Sequence, residues 1–212
     1  MAFFRLFAFN FVLLQSRKFR NDKLIEMIYI DEHINDFDLA AALEQISEQR
    51  REQALRFRYE LGQRTCVLAY LLLKRALSEE FGLTENPVFT FGEHGKPSIA
   101  NHPNIFFNLS HCKKAVACAV SRRPVGIDIE SVGSYKESVA RYTMNDEEMA
   151  LITAAARPEV AFVRFWTMKE ARLKLTGEGI SRDLKTVLTE ADKKKYTTVE
   201  RLERGYIYTV CE

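Results

Sequence analysis

Between Arg64 and Phe81 the apolar residues Val67, Leu68, Leu71, Leu72 and Leu77 recur at helical spacing. A stripe that wide has to be covered, so the segment reads as a core helix, and Gly82 stops it. From Val88 the period changes. VFTFGEHGKPSI holds a short strand, a Gly-rich turn and a second extended piece, and IFFNLSH, AVACAVS and PVGIDIE follow as strand-like runs. Ahead of the core helix, Ile28–Ile30 is a short apolar run, Asp36–Ile46 reads as an amphipathic helix, and Ser47 opens a polar stretch.

The second half repeats helix, helix, strands. Asn145–Ala156 is a helix whose acidic first turn (Asp146, Glu147, Glu148) suits the helix dipole, and Pro158 ends it. Val160–Leu175 is a second helix, closed by Gly177 and Gly179. Strands are expected at Val187–Thr189, Tyr196–Arg201 and Tyr206–Val210, with Arg204-Gly205 as a turn. Similar element order in two halves suggests an α+β duplication, although no residue-level repeat accompanies it.

Of the 212 residues 47% are hydrophobic, enough to build a core and too many for a disordered chain. Nine Gly and five Pro exclude collagen-like and other low-complexity classes. The net charge of +2, from 31 basic and 29 acidic residues, excludes a nucleic-acid coat or a polybasic membrane anchor. Cys66, Cys112, Cys118 and Cys211 show no C-x-x-C spacing, so they read as buried or free thiols of a reducing cytosol. Phe3–Leu14 is apolar but too short to span a bilayer, and its basic residues follow it instead of preceding it as in a signal peptide. Residues 1–26 are therefore read as an N-terminal extension, with Met27 as an alternative start.

Four local features carry chemistry. In Gly126-Ile127-Asp128-Ile129-Glu130, strand alternation throws Asp128 and Glu130 to one face, about 6–7 Å apart along the strand. Two such oxygens suit a hard cation, Mg²⁺ or Mn²⁺; they also suit an exposed strand end with two ordinary acids. In Trp166-Thr167-Met168-Lys169-Glu170-Ala171-Arg172-Leu173-Lys174, Glu170 and Lys174 are i and i+4 on a helix, with Trp166 one turn before Glu170. That is either a surface ion pair or a third metal carboxylate beside a phosphate-binding cation. Asn108-Leu109-Ser110-His111 offers a hydroxyl and an imidazole to a phosphate, without the nucleophile elbow of a serine hydrolase. Gly92–Pro97 is a lysine-bearing turn and not a P-loop, because Pro97 follows Lys96.

Taken in order, GKP, NLSH, GIDIE and W-x-x-K-E-A-x-x-K resemble the 4′-phosphopantetheinyl transferases, in the larger surfactin-synthetase-activating (Sfp-like) form. The resemblance covers most of residues 27–212. It implies an α+β fold of two similar subdomains, 27–125 and 126–212, joined as an intramolecular pseudodimer with the active site at their junction. It implies transfer of the phosphopantetheine arm of coenzyme A to a serine of an apo-acyl or peptidyl carrier protein, releasing 3′,5′-ADP. The enzyme would be cytoplasmic and monomeric.

Carried over by motif, Asp128, Glu130 and Glu170 would hold Mg²⁺, with Mn²⁺ as the alternative. Glu170 would be the general base and Lys174 would meet the departing phosphate, with Lys169 in a supporting role. For coenzyme A the resemblance points to Lys96 and Pro97, Ser110 and His111, Arg64 and Thr65, and Arg50 at the 3′-phosphate. The family's second basic position three residues after Arg50 is Gln53 here, leaving Arg51 or Arg56 to supply that charge. Lys113, Lys114, Arg122, Arg123, Lys136 and Arg141 read either as a steering patch for an acidic carrier or as scattered solubilising charges. Arg141–Glu148 resembles the segment that helps present the carrier. An inert coenzyme A-binding relative and a nucleic-acid module are the rival readings, and the second leaves the carboxylates unexplained.

Overall fold

The computed structural model describes residues 27–179, 183–188 and 196–212. The first half begins with β1 (Met27–Asp31) and helices α1 (Leu39–Leu43), α2 (Glu48–Leu55) and α3 (Glu60–Phe81). A hairpin of β2 (Phe89–Phe91) and β3 (Pro97–Ile99) precedes β4 (Phe106–His111) and β5 (Val116–Ser121). The second half holds β6 (Gly126–Ser131), helices α4 (Glu137–Thr143), α5 (Asp146–Ala154) and α6 (Pro158–Thr176), a 3₁₀ turn at Leu184–Thr186, then β7 (Tyr196–Arg201) and β8 (Tyr206–Cys211).

Both three-stranded sheets are antiparallel and share one strand order. In β1-β5-β4 and in β6-β8-β7, the first strand of the half pairs with its last, which pairs with its middle one. The long helix of each half lies on its own sheet, α3 on β1, β5 and β4, and α6 on β6, β8 and β7. Strand alternation then builds the middle of the molecule. Tyr29, Phe107, Val116, Cys118 and Val120 face α3. Ile30, Ala117 and Ala119 face the other way and meet Ile127, Ile129, Tyr208 and Val210. The layers run helix, sheet, sheet, helix. β5 and β8 are buried along their whole length, which is why they carry no alternating polar face.

Helix ends follow local chemistry. Gly82 and Gly177 sit at φ 70° and φ 77° as the C-caps of α3 and α6. Ser47 caps α2 by accepting the Arg50 N–H. Three expectations change. Asp36–Ile46 is not one helix: Asp38 caps a single short helix, Leu39–Leu43, and a second starts after Ser47. The strand expected at Val187–Thr189 is absent from Val187 and Leu188, which follow the 3₁₀ turn and are buried side chains of a small core with Leu173; Thr189 lies outside the described residues. The extension 1–26 also lies outside them. Pro158 starts α6 as its first residue rather than ending the preceding helix. No helix among the described residues is long and apolar enough to cross a membrane.

Candidate active site

The two sheets meet along one edge, where β4 runs beside β6. No backbone ladder joins them; side chains of β4 do. Asn108 Oδ1 accepts the Ile127 N–H at 2.9 Å, and Ser110 Oγ accepts the Ile129 N–H at 3.2 Å. These two buried residues, i and i+2 on β4, take up alternate N–H groups of an otherwise unpaired strand edge. They fix β6, with Asp128 and Glu130, against the strand that ends in His111.

Asp128 is buried on the face of β6 that meets α6. Its Oδ1 accepts from Ser110 Oγ at 2.8 Å and pairs with the Lys174 ammonium at 2.6 Å. Lys174 Nζ also donates to Ser110 Oγ at 2.9 Å. Asp128 Oδ2 is buried with no hydrogen-bond partner among the described residues. Lys174 therefore reaches across to β6 instead of forming the i,i+4 pair with Glu170.

The three expected carboxyls share one electrostatic field. Burial and the neighbouring Asp128 charge push the Glu130 carboxyl up to about 7, against a hydrogen bond from Trp166 that acts the other way. Burial and Asp128 also raise Glu170, and Lys174 partly offsets them. The chain's single Trp, one turn before Glu170 in sequence, also lies within electrostatic reach of Glu130. Among the described residues no three acidic, His or Cys side chains are gathered tightly enough to hold a metal ion by themselves. The orphaned Asp128 oxygen and the two raised carboxyls still form an all-oxygen donor set short of positive charge. That fits a hard divalent cation whose remaining ligands are water and substrate phosphate.

His111 stands at the exposed end of β4. Partial desolvation of its ring, then the charges of Lys174 and Arg50, hold its imidazole below the ordinary range. Lys174 and Arg50 therefore both lie within electrostatic reach of His111. Arg50 is fixed by two bonds to the Cys66 carbonyl, at 3.1 and 2.9 Å, and by Gln53 Oε1 at 2.8 Å. Gln53, where the family pattern has a base, orients Arg50. Lys96 spans the halves, its Nζ donating to the Leu175 carbonyl at 2.7 Å on the last turn of α6. Pro97 opens β3 opposite Phe91.

Arg64 and Thr65 are taken up locally and do not join this cluster. Arg64 Nε binds Glu60 at 2.7 Å and Nη1 the Phe37 carbonyl at 2.8 Å, while the buried Thr65 hydroxyl bonds back to Gly62. Sequence reasoning missed Asn108 as a strand-joining acceptor and Glu148 as a buried partner. Glu148 closes a capping box with Asn145 and pairs with fully buried Lys169 at 2.7 Å, and Lys169 also donates to the Leu184 carbonyl. The N-x-x-E spacing carried the capping half of that signal.

Residues 124–211, which include β6 and α6, match the model of the 4′-phosphopantetheinyl transferase superfamily. The chain is 31% identical over 172 residues to the 4′-phosphopantetheinyl transferase HetI of a Nostoc species, covering 76% of this chain and 71% of that protein. It belongs to the 4′-phosphopantetheinyl transferase superfamily. It is a transferase by that membership. Identity to psf-1 of Bacillus pumilus is 38% over 142 residues, 66% of this chain and 61% of that phosphopantetheinyl transferase. Identity to Sfp of Bacillus subtilis is 26% over 200 residues, 87% of this chain and 89% of Sfp, so the Sfp-like resemblance extends well beyond the paired motifs.

Proposed function

We propose that this transferase moves the 4′-phosphopantetheine arm of coenzyme A to a serine of an apo-acyl or peptidyl carrier protein and releases 3′,5′-ADP. The observation that carries the reading is the electrostatic coupling of Asp128, Glu130 and Glu170 beside Lys174, at an edge shared with Ser110 and His111. Neutral ligands would not need three acids coupled in one electrostatic field beside one cation.

Asp128, Glu130 and Glu170 would hold Mg²⁺, or Mn²⁺ in its place; bound there, the ion neutralises charge on the pyrophosphate and its leaving group. Glu170 takes the proton of the carrier serine as its oxygen bonds to phosphorus, either directly or through a water it holds. The bond from that phosphorus to the 3′,5′-ADP oxygen breaks. Lys174 stabilises or protonates the released phosphate, and its link to Ser110 keeps it near the strand that ends in His111. Ser110 and His111 bind phosphate from that strand. Arg50, aimed by Gln53 and the Cys66 carbonyl, serves the 3′-phosphate. Lys96 and Pro97 flank the adenine, and Arg64 and Thr65, near the start of α3, contact the nucleotide.

The repeated strand order supports an intramolecular pseudodimer of subdomains 27–125 and 126–212. A chain that holds both halves works as a monomer. The buried thiols of Cys66, Cys112 and Cys118, outside any disulfide, support a reducing compartment, the cytoplasm. Exposed Lys136 and Arg141 share α4 and its cap with exposed Val139 and Tyr142, a surface suited to an acidic carrier with an apolar face, and exposed Lys113 and Lys114 add further basic charge.

Incubation with coenzyme A, Mg²⁺ and a panel of apo-carriers, followed by intact mass measurement, tests the reading. One phosphopantetheine gained on a carrier, and lost on adding a chelator, is the expected result. No gain on any carrier with coenzyme A binding intact would favour an inert relative.

A further inference from the structure

We infer that Lys174 is the resident counter-ion of Asp128, that a divalent cation must displace it to bind, and that the diphosphate of the substrate draws it away. This rests on the assignment of Asp128, Glu130 and Glu170 to a metal.

The ammonium of Lys174 is held at two points. It pairs with Asp128 Oδ1 at 2.6 Å and donates to Ser110 Oγ at 2.9 Å, and Ser110 Oγ–H donates to that same Asp128 oxygen. Asp128 is buried, so its charge needs a partner whenever no other cation is present. Lys174 supplies it from the last turn of α6, with a side chain 28% exposed and therefore free to swing toward solvent. Oδ2 of the same carboxylate is left without a partner, which is where a second cation would be drawn. Two cations on one carboxylate repel each other strongly in so sheltered a place. The substrate-free protein thus resists the metal. A diphosphate brings negative charge that takes the lysine, and Asp128 is released to the ion. Metal and diphosphate then bind cooperatively, each tightening the other by the same factor. Neither the superfamily match nor the motif order carries that coupling; it comes from the placement of one ammonium.

Mn²⁺ binding, followed by loss of the free-ion electron paramagnetic resonance signal, tests this without turnover. Wild type is titrated with and without coenzyme A, no carrier being present. Mn²⁺ should bind weakly alone and on the order of tenfold more tightly with coenzyme A. Lys174→Met should bind Mn²⁺ on the order of tenfold more tightly than wild type without coenzyme A, and gain less from adding it. Lys174→Arg keeps the charge and should behave as wild type does. Lys174→Gln repeats the neutralisation should the Met variant fold poorly, with a melting curve in Mn²⁺ as the check. Equal or weaker Mn²⁺ binding in both neutral variants without coenzyme A overturns the counter-ion role, provided wild type binds the ion with coenzyme A. If wild type binds no Mn²⁺ in either state, or Asp128→Asn binds it unchanged, the metal assignment itself fails and takes this inference with it.

Discussion

Gly126, the first residue of β6, lies so close to the Ala171 carbonyl of α6 that a methyl group on it would overlap that oxygen. Its other near neighbours are the backbone nitrogen and Cα of Leu175, at 2.6 and 3.0 Å from the same point. Backbone atoms of a packed helix cannot step aside, so the contact sets how near α6 comes to β6. Glu170 and Lys174 ride on that helix; Asp128 and Glu130 ride on that strand. Gly126→Ala should cost about 3 kcal/mol, at the upper end of overpacking penalties, and should lower turnover by prising α6 from the carboxylates. Urea unfolding checks the first effect. An unchanged midpoint would mean that α6 sits further out.

The same glycine marks how far the sequence could be read. GIDIE announced a strand with two acids on one face, and the structure keeps Asp128 on the α6 side with Ile127 and Ile129 in the inter-sheet core. Period-2 alternation is a local property, so it was legible. The ends of α3 and α6 were legible because Gly82 and Gly177 follow long apolar stripes. The Lys174 partner was not. Helical spacing offered Glu170 four residues back, but a lysine side chain is long enough to cross to another element, and buried Asp128 was the stronger claim on its charge. The bounds of the short α1 and the 3₁₀ turn at Leu184–Thr186 were missed because their propensities are weak and tertiary packing decided them.

The buried Lys169–Glu148 pair fastens α5 and the 3₁₀ turn to α6 one residue before Glu170. Burial pulls the Lys169 ammonium below its usual range, and Glu148 holds it up. Removing one partner leaves the other buried and unpaired. Lys169→Met should cost about 3–5 kcal/mol. Lys169→Met with Glu148→Gln should recover part of that loss, the capping bond to the Asn145 N–H being retained by the amide oxygen. A double-mutant cycle read by thermal melting checks it; strict additivity of the two losses would argue against a coupled pair.

Glu170 is raised by burial and by Asp128, which is the direction a general base working near neutral pH needs. Glu170→Gln keeps the shape and an oxygen donor while removing the base. Turnover should fall by about 10²–10⁴-fold and stay low across a titration of Mg²⁺. Recovery at high Mg²⁺ would reduce Glu170 to a ligand. Coenzyme A affinity, measured separately by calorimetry in the absence of metal, should hardly change.

Glu130 makes stability depend on pH in a direction opposite to that of an ordinary paired carboxylate. Its folded-state value is raised from 4.5 to about 7 by burial first and by the Asp128 charge second. Between those values the folded protein holds a proton that the unfolded chain has released. The stabilisation is therefore complete below 4.5 and is lost as the pH rises to about 7. Without metal, wild type should lose melting temperature relative to Glu130→Gln across that window, because the amide carries no such slope. Added Mg²⁺ prefers the ionised carboxylate, so its gain in melting temperature should be larger at about pH 8 than at about pH 5 in wild type and less steep in the variant, where the raised Glu170 still titrates. Melting curves of both proteins over the pH series, with Mg²⁺ and with chelator, check it. A difference between them that stays constant with pH would show that Glu130 titrates as a solvent-exposed acid.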